Sequence, residues 1–392
     1  MARTFDRIVT GLLTCERLSE IQYVSQEDIE LQERINNTSV PLKYRDILEA
    51  FRARVAESPG SVLLTYLDNR YTYAEADSIS DSIASALSSA GISRGDSVAI
   101  MIPRSEWYLL CVLGVLKTGA AYVPVDTSYP DERVGFMISD SSAKAVLVTP
   151  ETKERASALT ESALIDCTSL PSEPFGTVHV CPDDTAVVLY TSGTTGKPKG
   201  SIITRFAIEN FCEWYVSCSG MTSADRAALH TSIAFDMHAM ALFPPLVAGA
   251  SVDIIPENVR LDTDMLHAHI QKYGITHIFI TTQFGKIYAS SHPGGCLRVL
   301  FVAGEKLGSF DVATEYSMFD GYGPSENLAL STGIRISCRS DPSSVGTPNS
   351  NVKAYILDKE HRRIPYGAVG ELYLSGYQLS KGYLNRPDRN KE

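Results

Sequence analysis

The densest run of chemistry-bearing residue types in the chain is Leu189 to Gly200, LYTSGTTGKPKG. An apolar segment leads straight into Thr191, Ser192, Gly193, Thr194, Thr195, Gly196, Lys197 and Lys199. Small hydroxyl residues and glycines let backbone N–H and side-chain O–H groups surround phosphate oxygens, while lysines add countercharge. The run reads as a polyphosphate site. A Walker loop requires GxxxxGK[ST]; here GTTGK has a different spacing and Pro198 follows Lys197, so a kinase or GTPase reading is weak. Composition alone would also allow a flexible Ser/Thr/Gly surface loop. The cysteines and histidines add no second centre. Eight cysteines are scattered without a CxxC pair, and His230, His238, His267, His269 and His277 have no spacing that marks a metal or catalytic cluster.

Charge and hydropathy bound the setting of that loop. With 35 Lys plus Arg against 46 Asp plus Glu, the net charge is −11, and nothing global draws the surface to nucleic acid or anionic lipid. Any phosphate must be gripped locally. A chain of 392 residues with 44% hydrophobic and 21% charged residues can bury a large core and is neither a disordered tail nor a fibre. No apolar stretch approaches the roughly 18 to 20 residues of a membrane span, and MARTFDRIVTGLL is too short and polar for a signal peptide. A soluble, cytoplasmic protein with reduced thiols is expected.

The elements that must position the loop alternate from about Tyr44 onward. Ile47, Phe51 and Val55 form a helical stripe ending near Pro59-Gly60, and Ile79, Ile83 and Leu87 form another closed by Gly91. Short apolar runs predict strands at Val98 to Ile102, Ala145 to Val148, Ala186 to Leu189, Val252 to Ile255, His277 to Ile280 and Leu297 to Val302. Their continuous hydrophobicity suits burial on both faces, hence largely parallel sheets. Asp262 to Tyr273, before Gly274, reads as one crossover helix. The class is α/β, with too many strands for one simple sheet and helices flanking several. Residues 1–45 carry charge and weak helical periodicity without a strand, and read as an interdomain linker arm ahead of a core spanning 46–392. The end, GELYLSGYQLSKGYLNRPDRNKE, is polar and has no closing element, which reads as a cut at a domain boundary.

The motifs resemble the adenylate-forming enzymes, and among them the amino-acid adenylation domains of nonribosomal peptide synthetases. YTSGTTGKPKG is similar to that family's phosphate loop, and Leu116 to Asp126, LKTGAAYVPVD, to its segment LKAGxAYVPID. Gly321 to Glu326, GYGPSE, resembles YGPTE, and Gly370 to Leu384, GELYLSGYQLSKGYL, resembles GELxIxGxGxARGYL. The resemblance covers Asp46 to the end and implies the family's large N-terminal subdomain, with several largely parallel sheets. It implies ATP and Mg²⁺: a carboxylate of an amino acid attacks the α-phosphate to give aminoacyl-AMP and pyrophosphate. By motif, Thr191 to Lys199 would hold the β and γ phosphates, Tyr322 would pack on the adenine, and Glu326 would ligate Mg²⁺. Ser325 stands where a Thr usually contacts the α-phosphate, so Thr191, Ser325 and Glu326 are the implied catalytic set. Gly304, Glu305, Gly321 and Gly323 complete the implied nucleotide site. Two positions depart from the pattern: Asp320 replaces an Asn that reads adenine, and Arg205 replaces a His after the phosphate loop. Arg205 could face solvent or supply countercharge. Tyr322 could instead be a core aromatic and Glu326 a solvated carboxylate.

Ala234, Phe235, Asp236 and Met237 resemble the family's FD pair, whose Asp binds an α-ammonium. A carboxylate in an apolar cleft stays charged only with a partner, and a substrate ammonium is one. The alternative is an N-cap ahead of a helix at Met237 to Leu242. The family's pocket positions fall on Asp236, Met237, Met240, Phe279, Phe301, Ala303, Gly321, Ala329 and Leu330, although Phe279 and Phe301 could simply be core. No acid or base faces the side-chain end, so a small or medium aliphatic substrate is expected, alanine first and valine or leucine next. The resemblance further implies a peptidyl carrier protein and a condensation domain as partners. It also implies a mobile C-terminal subdomain, bearing the transition-state lysine, that this chain lacks, so slow turnover is expected. Two competing readings are an acyl- or aryl-CoA ligase, which Asp236 and AYVPVD argue against, and a nucleotide-binding module without chemistry.

Overall fold

The computed structural model describes residues 2–17, 20–191, 198–310, 312–337 and 344–391. Two sheets carry the fold. One has nine strands, and its centre runs parallel from Val62–Tyr66 through Ser251–Ile254, Arg226–Leu229, His277–Thr281 and Val299–Ala303 to Ser317–Tyr322. The other has six, with Ala163–Asp166, Ala145–Val148, Ser97–Ile100, Ala121–Pro124 and Thr185–Thr191 parallel and Lys199–Thr204 antiparallel at its edge. A separate hairpin pairs Val352–Leu357 with Glu371–Gly376. The α/β reading holds, and within the two large sheets antiparallel pairing among the described residues is confined to the margins.

Side-chain alternation explains the layering. In Ser97–Ile100 and the residue after it, Val98 and Ile100 face one apolar core while Ala99 and Met101 face another. In the nine-stranded sheet Phe279, Phe301 and Ala303 join the first core, and Ile278, Ile280, Leu300 and Val302 a third. Both faces of both sheets are buried, so the chain stacks helix, sheet, helix, sheet, helix. The middle helical layer includes Ile47–Glu57, Tyr73–Ser89, Trp107–Lys117 and Arg205–Ser219. Trp107–Lys117 is buried along ten consecutive residues from Tyr108. Its last residue, Lys117, is 2% exposed and lies 2.7 Å from Asp77 and 2.6 Å from Asp81, which satisfies the buried ammonium.

Local chemistry sets the ends of elements. Thr72 opens Tyr73–Ser89 with a capping box through Glu75, and Asp262 accepts from the amides of Asp264 and Met265, both at 2.9 Å, to open Thr263–Tyr273. The residues before Asp46 form helices at Ala2–Thr14 and Gln26–Ile35. Just beyond the second, Asn36 exchanges two hydrogen bonds with the Ala354 backbone, at 2.9 and 2.7 Å, which lays this stretch along the hairpin. The last motif does not trail away. Ile202 and Lys381 donate to Gly382 and Ile202 carbonyls at 3.0 and 2.9 Å, so this stretch pairs alongside Lys199–Thr204. Among the described residues, no helix is long and apolar enough to cross a membrane, and seven cysteines are free.

Candidate active site

Three sequence motifs converge at the C-terminal ends of the parallel strands, where ligands bind in α/β sheets. Thr185–Thr191 and Lys199–Thr204 are antiparallel neighbours with Thr191 opposite Lys199, so the phosphate run leaves and re-enters the sheet at one point. Ser192, Gly193, Thr194, Thr195, Gly196 and Lys197 lie outside the described residues. The Lys199 ammonium sits over the Tyr383 ring, 4.5 Å from its centroid. Tyr383 in turn donates its hydroxyl to the Glu326 carboxylate, and Ser380 N–H donates to the Glu326 carbonyl at 2.7 Å. Burial and the Glu326 carboxylate push the Tyr383 phenol up to about 12. Glu326 and Ser325 belong to a single 3₁₀ turn, Ser325–Asn327. A half-buried carboxylate with one oxygen tied to a phenol leaves the other for a hard cation, a fit to Mg²⁺ held by one carboxylate and substrate phosphates.

A cavity of about 500 Å³ opens beside this turn, lined by Gly304, Glu305, Asp320, Gly321, Tyr322 and Gly323 among others. Tyr322 is 43% exposed there, which does not suit a core aromatic. Asp320 is 8% exposed and its Oδ1 has no hydrogen-bond partner. Burial pushes its carboxyl up to about 6, only partly offset by the Gly321 amide. Gly323 has no room for a side chain because backbone closes over it, while a Cβ on Gly321 would displace the Leu330 side chain. A Cβ on Gly323 would lie 2.2 Å from the Ala329 carbonyl oxygen, and one on Gly321 would lie 2.6 Å from Leu330 Cδ1.

Asp236 is buried on a loop behind the Ser325 turn. Burial pushes its carboxyl up despite hydrogen bonds from the Ser325 side chain and the Met237 and Ala329 backbone, and the Glu326 charge adds to the rise. The helix that follows runs His238–Leu242, and no side chain caps it, so the N-cap alternative for Asp236 fails. Phe235 beside it is 61% exposed, whereas Met240, Phe279, Phe301, Ala303, Ala329 and Leu330 are buried and Met237 is half-buried. Strand register ranks them. Phe279, Phe301 and Phe319 are direct neighbours across three strands, and two residues further on, facing the same way, stand Thr281, Ala303 and Gly321. Phe301 stacks on Phe319 at 4.7 Å between centroids and touches Tyr215 at 5.0 Å. The aromatic row thus forms a floor, and the small residues above it leave room that Leu330 enters over Gly321.

Arg205 requires a correction. It neither faces solvent nor reaches phosphate: it is fully buried, 3.1 Å from Asp46, and donates to the Leu116 carbonyl at 2.7 Å. Other supports were not legible as such. His238 Nδ1 donates to the Phe235 carbonyl at 2.6 Å, so its Nε2 accepts from the Tyr122 hydroxyl at 2.7 Å, consistent with burial pushing this imidazole down to about 4. Ser232 donates to Asp126. Tyr122 and Asp126 both come from LKTGAAYVPVD, so that motif ties down the loop carrying Asp236. The signal was present as a motif, but its partners are more than a hundred residues away.

Fold and motifs together define an α/β domain of the adenylate-forming class. The chain belongs to the family of AMP-binding enzymes, matched over residues 51–384. It is similar to bacitracin synthase 1 of Bacillus licheniformis, 32% identical over 380 residues that cover 96% of this chain and 7% of that protein. It is also similar to surfactin synthase subunit 1 of Bacillus subtilis (strain 168), 34% identical over 333 residues, 83% of this chain and 9% of that one. The chain therefore spans less than a tenth of these two relatives. Holo-AB3403, a four-domain nonribosomal peptide synthetase bound to AMP and glycine, superposes with a TM-score of 0.85 at 25% identity, over 99% of this chain and 30% of that one. The Klebsiella oxytoca NpsA N-terminal subdomain, in complex with 3-hydroxybenzoyl-AMSN, shares the fold with a TM-score of 0.77 at 23% identity, over 90% of this chain and 92% of that one. The likeness to nonribosomal peptide synthetase adenylation domains is borne out.

Proposed function

We infer that this domain activates a small or medium aliphatic amino acid, alanine in the first instance, with ATP as the co-substrate. The observation that carries the reading is Asp236: a buried carboxylate, hydrogen-bonded but facing a second acid, Glu326, so that a substrate α-ammonium would supply the missing cation. Asp320 would accept the adenine amino group at Oδ1, and Tyr322 would lie against the base. Ser325 hydrogen-bonds Asp236 and would stand between amino acid and nucleotide. One oxygen of the bound carboxylate would attack the α-phosphorus as the bond to the β-bridging oxygen breaks and pyrophosphate leaves. This is an in-line displacement in which positioning and electrostatics supply the rate. Mg²⁺, held at Glu326 and the phosphates, would neutralise their charge. Leu330 entering the space above Gly321 supports a small side chain rather than an aromatic one. In a longer synthetase, a peptidyl carrier protein would take the aminoacyl group and a condensation domain would use it.

The test is a thermal-shift panel of aminoacyl-sulfamoyl adenosines carrying Ala, Ser, Val, Leu, Phe, Lys and Glu. A ligand at roughly a hundred times its dissociation constant stabilises by about 2.7 kcal/mol. The alanyl analogue should lead, and Asp236→Asn should erase its advantage over the propionyl analogue, which lacks the ammonium. Equal shifts across the panel would leave only nucleotide recognition standing.

A further inference from the structure

Gln378 is a buried side chain near the site with both ends of its amide engaged, and none of the implied catalytic or binding roles uses it. In GELYLSGYQLSKGYL it occupies a position that is glycine in the motif GELxIxGxGxARGYL, so here a long amide fills space that the motif leaves to backbone. The residue is fully buried. Its Nε2 donates to the carbonyls of Leu330 at 2.8 Å, Asn327 at 3.1 Å and Leu328 at 3.4 Å. Its Oε1 accepts from Asn210 Nδ2 at 3.2 Å and Asn349 Nδ2 at 3.4 Å, and Asn349 also reaches the Leu330 carbonyl at 2.6 Å.

The turn those carbonyls belong to is unusual. Leu328 and Ala329 both have positive φ, 45° and 57°, a conformation that side chains with a Cβ resist and that persists only when its surroundings over-determine it. Gln378 contributes to that determination by gathering three of the turn's carbonyls, those of Asn327, Leu328 and Leu330. The turn then offers its Ala329 amide to Asp236 and its Leu330 side chain to the space over Gly321. We propose that Gln378 is a positioning residue that sets the depth of the amino-acid pocket by holding the Asn327–Leu330 turn in this strained form, without touching the substrate. The proposal rests on the amino-acid reading of the site. Gln378 has no hydrogen bond to the residues that line the nucleotide cavity and reaches Gly321 and Gly323 only through the turn that packs on them, so the larger effect should fall on the amino-acid half.

The experiment compares the unaltered 392-residue chain with Gln378→Met, which keeps length and removes every hydrogen bond, and with Asn349→Ala, which removes one donor to Leu330. Calorimetry measures affinity for ATP and for the alanyl- and leucyl-sulfamoyl adenosines. Gln378→Met should bind ATP within about twofold of the parent, lose tenfold or more toward the alanyl analogue, and narrow the alanyl-to-leucyl ratio as Leu330 is freed. Asn349→Ala should move the same ratio less, and it decides the matter if Gln378→Met does not fold. Unchanged ratios overturn the proposal, as do equal losses for ATP and both analogues, which a purely structural role would produce. A parent that binds ATP but shows no preference for aminoacyl over plain nucleotide overturns the amino-acid reading itself, and the proposal with it.

Discussion

Replacing Asp320 with asparagine should stabilise the protein at neutral pH and leave it unchanged in mild acid. The native carboxyl titrates at about 6 because it is 8% exposed with an unpartnered Oδ1, against 3.8 for an ordinary Asp. Between those values the folded chain holds a proton that the unfolded chain has released, so parent stability falls as pH rises through that window and the loss is complete above about pH 7. The gap of about 2 pH units corresponds to ~3 kcal/mol at about 1.36 kcal/mol each. Because the residue borders an open cleft, water screening reduces this to about 1.5 kcal/mol. At roughly 2.1 cal/mol/K per residue, a chain of 392 residues unfolds with about 0.8 kcal/mol/K, so the gain in Tm is about 2 °C. Differential scanning fluorimetry of parent and Asp320→Asn at about pH 4, 5, 6 and 7.5 should show curves that coincide at the acid end and separate with the variant on top. A constant difference at every pH, or a variant that melts lower at about pH 7.5, would refute the argument that this carboxyl is a shielded acid facing a cavity.

A second carboxyl gives a pH effect at higher values: Glu209 is fully buried, and burial, aided by Glu213, Asp46 and Glu49, pushes it up to about 8 from 4.5. Parent stability should therefore fall as pH rises from about 5 to 9, while Glu209→Gln should melt with the parent at about pH 5 and increasingly above it thereafter, by at most about 5 kcal/mol. Arg205→Met should destabilise by about 3 to 5 kcal/mol, since it strands the buried Asp46 carboxylate and the Leu116 carbonyl together; urea denaturation at neutral pH checks this, and a change under about 1 kcal/mol would mean the pair is dispensable.

Strand and helix placement was largely legible because continuous apolar runs and fourfold spacing are local properties. Ala145 to Val148 forms a strand with the bounds read from sequence, and Asp262 and Gly274 close Thr263–Tyr273 as their residue types suggest. Leu297 to Val302 begins two residues later, at Val299, since Leu297 and Arg298 complete the approach to the sheet. The four motifs were legible as well, because each is a contiguous string of residue types. Which residues meet was not. Arg205, open in sequence between a solvent-facing side chain and a phosphate countercharge, is instead buried, since Asp46 approaches it from 159 positions away in sequence. Tyr383 gained its role from Glu326, 57 residues upstream, and Gln378 from a turn some 50 residues before it. By itself the sequence determined the class of fold and singled out the candidate phosphate run and the candidate acid residues, for these follow from short-range pattern. Only the tertiary structure decided the electrostatics of Asp236 and Asp320, the burial of Arg205 and the shape of the Leu328–Ala329 turn, because solvation and hydrogen-bond partnership depend on segments that meet only when the sheets close over one another.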